Sequence, residues 1–168
     1  MKNKNVLIAL FGLVSIFLVS VASPGVLFPS DILFYFPSFT SNSWVRPHNS
    51  LLADPVFQFE PWRQYAKERL QKGEFPLWND LNAKGVPFFA NMQSAVLFPL
   101  SIASYLLPTH VSLNMLPLMK LYFLFIFSFL YLKSLKCSTP VAVLGGSSIA
   151  FSAFSITWLL WPQTNVFL

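Results

Sequence analysis

VSLNMLPLMKLYFLFIFSFLYLKSLK, residues 111–136, decides the fold, because it crosses a membrane only if it takes in a charge. Its apolar heart, residues 121–132, is 12 residues long. A helix rises about 1.5 Å per residue and the hydrocarbon core is about 30 Å thick, so that heart alone falls short. The crossing helix therefore runs back through Lys120, with Pro117 suited to its first turn, and the span is set at 113–136. Lys133 and Lys136 mark its cytoplasmic end. Lys120 then falls near the outer interface and has two readings. It snorkels to the headgroups, or it faces a polar cavity where a lipid phosphate sits.

Working outward, residues 6–22 (VLIALFGLVSIFLVSVA) give a first span within segment 1–22. Lys2 and Lys4 precede it, which places the N-terminus inside. Ser20-Val21-Ala22 also reads as a signal-peptide cleavage site, but further spans downstream favour an anchor. Residues 139–161 form a third, uncharged span, where Gly145, Gly146, Ser147 and Ser148 allow close helix contact. Trp158 and Trp161 sit where an outer aromatic belt falls. The expected fold is an all-α polytopic membrane protein with about three transmembrane helices and a large extracytoplasmic loop, 23–112, carrying amphipathic, interfacial helices. The apolar ending PQTNVFL suggests a chain truncated at 168.

Composition agrees. The chain is 55% hydrophobic and 10% charged, where soluble domains carry roughly 25% charged residues. Its net charge of +5 includes lysines flanking apolar segments, which speaks for membrane topology and against nucleic-acid binding. The single Cys137 excludes an internal disulfide and a cysteine-cluster metal site. His48 and His110 stand isolated in sequence, so no metal set is assigned. All six acids lie between Asp31 and Asp80, so the chemistry belongs to the loop.

Within the loop, Asp31 sits in an apolar stretch bounded by Pro29 and Pro37, where at most a short interfacial helix fits. EPWRQYAKERLQKGEFP has Pro61 for a first turn and Gly73 and Pro76 past the last. Trp62, Tyr65, Ala66 and Leu70 share one face of that helix, which is expected to lie on the membrane surface; the alternative is a helix over a small extracytoplasmic domain. Glu60 pairs by default with Arg63, and Glu68 and Glu74 read as solvated face. Residues 94–107 are apolar, interrupted by Pro99, and short enough for an interfacial or re-entrant piece.

Asp54 is flanked by Leu51, Leu52, Ala53, Pro55, Val56 and Phe57, surroundings expected to desolvate it and raise its basicity. Asp before Pro is also a common helix start, which would make it a cap. Gln58 lies four residues on and shares a helical face with Trp62 if a helix begins at Pro55. Asn91 and Gln93 line the same cavity or stabilise turns.

The ordered set Asp54-x3-Gln58-x2-Pro61, Gly73-x2-Pro76-Leu77-Trp78-Asn79, Gly85-x-Pro87-x2-Ala90-Asn91-x-Gln93 and Phe98-Pro99 resembles the first outer loop of bacterial YfhO-like membrane proteins, in the GT-C class of glycosyltransferases. The resemblance covers residues 49–108 in detail and departs at Asp80, where that family usually has proline. Such proteins are far longer, so this stretch is expected to be an N-terminal part, inactive by itself. The resemblance implies sugar transfer from a polyprenyl-phosphate donor to an extracytoplasmic acceptor (a cell-envelope polymer or lipid) at a bacterial plasma membrane. It puts the catalytic carboxylate at Asp54, with Asp31, nearer the first span, as the alternative. Gln58, Asn91, Gln93 and Lys120 become substrate-binding candidates. The partners are the lipid-linked sugar and membrane lipid. Charge on the leaving phosphate makes a divalent cation the one candidate cofactor. The competing class is a non-enzymatic membrane component, a lipid-carrier transporter or assembly subunit, in which Lys120 and the third span matter more than Asp54. A secreted, signal-cleaved module is a third reading.

Overall fold

The computed structural model describes residues 2–36, 38, 48–82 and 84–161, the side chains of 2–10 excepted. Pro37, the C-terminal PQTNVFL and the side chains of Lys2 and Lys4 thus lie outside the described set. The described chain is mostly helical, with one small antiparallel hairpin. It divides into two compact units, residues 1–27 with 107–159, and residues 28–106 with 160 and 161.

The first unit holds α1 (Lys2–Ala22), α4 (Thr109–Ser134), α5 (Thr139–Ala150) and α6 (Ala153–Thr157). Among the described residues α4 is the one helix long and apolar enough to cross a membrane; Phe11–Ala22 and Thr139–Ala150 are shorter apolar helices. α4 starts at Thr109, four residues above the expected boundary, because Pro108 precedes it in an extended conformation and its carbonyl accepts the Ser112 N–H. Pro117 therefore lies inside the helix and does not open it. It lacks the N–H that an unbroken helix would give to Leu113. α4 closes with Lys136 in the left-handed region, the Cys137 N–H reaching the Leu132 carbonyl and the Lys133 ammonium holding the Cys137 carbonyl at 3.0 Å.

α4 packs against both α1 and α5. Small residues set the approach. A Cβ on Gly12 would meet the Tyr122 ring at 2.8 Å, and one on Gly146 would meet the Phe125 carbonyl at 3.1 Å. The expected third span is not one helix. α5 ends at Ala150, and Ser152 restarts the chain as an extended N-cap whose hydroxyl accepts the Ser155 N–H at 3.2 Å. The Ser155 hydroxyl in turn donates to the Ile149 carbonyl, so serines satisfy the backbone groups freed by the break.

Asn114 ties the end of α1 to α4. It is 2% exposed. Its Oδ1 accepts the Leu27 N–H at 2.7 Å, and its Nδ2 donates to the Gly25 carbonyl at 2.9 Å and, longer, to the Ser20 carbonyl at 3.4 Å. Asn114→Leu should strip these partners at a cost of about 1–3 kcal/mol. Limited proteolysis should then cut the segment after Ala22 faster than in the parent; unchanged cutting would deny the tie any role.

In the second unit, Asn49 caps a 3₁₀ turn (Ser50–Leu52) by accepting the Leu51 N–H at 3.0 Å. The backbone stays helical from Ala53 through a π-helical segment, Pro55–Phe59, into α2 (Glu60–Gln71). Pro61 gives the physical reason for the π turn. It has no N–H, and its ring would press on the carbonyl four residues back in a regular helix, so a wider turn relieves the clash. The Glu60 N–H accordingly reaches the Pro55 carbonyl. Gly73, two residues past the end of α2 at φ +74, closes it, with Gly73 N–H on the Leu70 carbonyl and Glu74 N–H on the Arg69 carbonyl, a Schellman closure.

The apolar face of α2 is covered by its own chain. Tyr65 and Ala66 are buried with Phe88, Val96 and Tyr105, with Trp62 and Leu70 packed alongside. The expected surface-lying helix is thus a helix over a small domain: the loop's later aromatic residues fold back and bury the face that a bilayer would have received. Residues 94–107 change reading for the same reason. Pro99 opens α3 (Pro99–Tyr105) and does not interrupt it, and Ser101, Ser104 and Tyr105 of α3 are buried. Asp31 lies in a 3₁₀ segment, Ser30–Tyr35, whose Ile32 is buried.

β1 (Trp78–Asn79) and β2 (Val86–Pro87) pair antiparallel, Trp78 opposite Pro87 and Asn79 opposite Val86. Gly85 closes the hairpin at φ +95, and a Cβ there would strike the Trp78 indole nitrogen. Gly85→Ala should therefore strain the turn by about 1–3 kcal/mol and displace the indole. Faster hydrogen exchange at the Asn79 and Val86 amides would register this; protection equal to the parent's would refute it.

Candidate functional site

Asp54 stands in the helical run just before the π segment, at φ −59, ψ −42. It is exposed, so the expected desolvation by its apolar neighbours is not realised: Pro55 and Phe59 turn inward and the carboxylate turns out. It is not a cap either. Its side chain makes no capping hydrogen bond, and Asn49 holds the cap position of the turn that leads in. Gln58 follows within the π segment, half-buried.

The other acids are mostly committed. Asp31 Oδ2 accepts from the His48 backbone N–H at 2.8 Å and lies 2.9 Å from His48 Nδ1. These bonds, the backbone one foremost, hold its pKa below the ordinary carboxylate value. His48, isolated in sequence, is thus the partner of Asp31. Glu60 receives Arg63 in a two-point clasp, Nε to Oε2 and Nη2 to Oε1, both 2.7 Å, and the Gln64 amide adds a third bond at 2.8 Å. Arg63 is 10% exposed and its remaining nitrogen, Nη1, is buried without a hydrogen-bond partner. Tyr105, buried in the same unit, has its hydroxyl pushed up to about 12 by desolvation, against the pull of the Arg63 charge and a bond with Ser101.

Arg69 gathers a second cluster that sequence reading missed. Its guanidinium donates to Glu74 Oε2 at 2.6 Å and to both oxygens of Asp80 at 2.8 and 2.9 Å. It also lies 5.2 Å from the centre of the Tyr65 ring. The Tyr65 hydroxyl, 2.6 Å from the Trp78 carbonyl oxygen and 3.0 Å from Asp80 Oδ1, shares its one proton between them. Hydrogen bonds from Arg69 and then Tyr65 hold the Asp80 carboxyl below its usual range. Glu74, read as solvated face, belongs here, and so does Asp80. The available signal was the spacing of Arg69 with Glu74, but Asp80 reaches it only because the hairpin folds back. Among the described residues, then, Asp54 and Glu68 are the acids whose carboxylates take no hydrogen bond or ion pair.

The remaining candidates do not gather around Asp54. Asn91 Oδ1 accepts the Gln93 N–H at 3.2 Å and so holds its own turn, while Gln93 is exposed. Lys120 belongs to the first unit, 6% exposed, its ammonium donating to the Leu159 carbonyl at 2.9 Å. Leu159 lies just past the end of α6 at Thr157, and the lysine takes its carbonyl there. No group of three or more His, Cys, Asp or Glu able to hold a metal occurs among the described residues.

No protein-family model, curated protein or solved structure matches the chain.

Proposed function

We propose that the chain is part of a polytopic membrane glycosyltransferase of the GT-C type, and that Asp54 is its general base. α4 supplies one crossing, and α1 and the broken α5–α6 segment supply the others, which leaves the second unit on the outer face. A polyprenyl-phosphate-linked sugar is the donor. Asp54 takes the proton from an acceptor hydroxyl as the acceptor oxygen bonds to the anomeric carbon and the lipid phosphate departs with the bonding electrons. Gln58, four residues on in the same helical run, hydrogen-bonds the sugar in this reading. The observation that carries this reading is the state of the acids: Asp54 is exposed and uncommitted beside a π turn, a feature frequent at functional sites, while the competing Asp31 is tied to His48. The test is sugar transfer in membranes bearing the full-length protein with Asp54→Asn or Asp31→Asn. Loss with the first and retention with the second is expected; the reverse would move the base to Asp31.

A second reading, a non-enzymatic lipid-carrier component, is favoured by Lys120, a buried cation in the helix proposed to span the membrane, beside a broken helix. Transfer that survives loss of Asp54 and Asp31 together would select it.

A further inference from the structure

The hollow beside the hairpin is lined by Tyr65, Arg69, Glu74, Phe75, Trp78 and Asp80, with a volume of about 270 Å³. A second hollow of about 230 Å³ adjoins it and shares Tyr65, Arg69 and Glu74. The Trp78 indole is half-exposed, and its seat against Gly85 fixes it. Asp80 and Glu74 are held in place by Arg69, so the polar groups are set before any ligand arrives.

Charge narrows what fits. A cation would meet the Arg69 guanidinium, and an anion would meet two carboxylates. A neutral molecule escapes both penalties. It must present hydroxyls, since a hydroxyl both donates to carboxylate oxygens and accepts from guanidinium nitrogens, and it must present a flat C–H face to cover an indole. The volume lies below the roughly 300–1,000 Å³ of pockets for drug-sized ligands, which suits one ring. From these features we infer that the hairpin hollow is a binding subsite for a neutral sugar ring, stacked on Trp78 and hydrogen-bonded by Asp80, Glu74 and Arg69.

This subsite lies on the hairpin and the end of α2, not at Asp54, and binding there needs no transfer chemistry, so it stands or falls apart from the base. The experiment is saturation-transfer NMR on the purified protein in nanodiscs with glucose, galactose and N-acetylglucosamine, and with choline and inorganic phosphate as charged comparisons. Saturation should reach the ring C–H protons of at least one neutral sugar and exceed that on either ion. Trp78→Ala should weaken the binding tenfold or more, and Trp78→Phe, which keeps a flat ring, should retain part of it. No transfer to any neutral sugar, stronger transfer to choline or phosphate, or equal binding by Trp78→Ala would each overturn the proposal. Because the parent protein alone decides the first two outcomes, misfolding of a variant does not protect it.

Discussion

Glu60→Ala should destabilise the second unit by about 2–3 kcal/mol, less than the loss of one partner from a fully buried ion pair because Glu60 and Arg63 are only partly buried. Arg63 is 10% exposed and both of its engaged nitrogens end on the Glu60 carboxylate. Without that carboxylate the largely buried guanidinium loses the acceptors of Nε and Nη2, and Nη1 already lacks a partner. Thermal unfolding of the purified protein, followed by tryptophan fluorescence, should show the loss. Glu60→Ala combined with Arg63→Met should recover much of it, because an apolar side chain of similar length removes the stranded charge. A single variant as stable as the parent would mean that Arg63 finds another acceptor or swings into water.

Asp54→Asn should lower sugar transfer about 100- to 10,000-fold, the typical contribution of a positioned base. At 1.36 kcal/mol per decade this is about 2.7–5.4 kcal/mol of barrier. Asparagine keeps the shape and the helical conformation, so the fold should be untouched: the side chain is exposed and supports no neighbour. The expected result is therefore a fall in rate with no shift in unfolding temperature, measured on the same preparation. A fall in both would make Asp54 a structural residue, and a fall in neither would remove it from the chemistry. Asp31→Asn supplies the contrast, since it weakens the tie to His48 while leaving Asp54 in place.

Much of the candidate site's local geometry was legible in the sequence. Pro61 and Gly73 punctuate α2, and the Trp62, Tyr65, Ala66 and Leu70 face is the one the helix buries. The Glu60–Arg63 pair follows from three-residue spacing on a helix. Pro99 was misread, because an N1 proline and a breaking proline look alike until the residue before it is seen to be extended. Asp54 was misread in its surroundings for a related reason: apolar neighbours in sequence do not desolvate a residue whose helical position turns it outward.

By itself, the sequence determined that this chain is helical, where its apolar segments fall, where α2 stops and which face it hides, because these depend on residues within a turn or two of each other. Only the tertiary structure decided what covers that face, which acids remain free, and what meets the buried ends of Asn114 and Lys120. Those outcomes depend on groups far apart in the chain: Asp80 reaches Arg69 through the hairpin, Asn114 reaches Gly25 and Leu27, and Lys120 reaches Leu159. No local propensity encodes such pairs, since each exists only after folding has brought two segments together and withdrawn them from water.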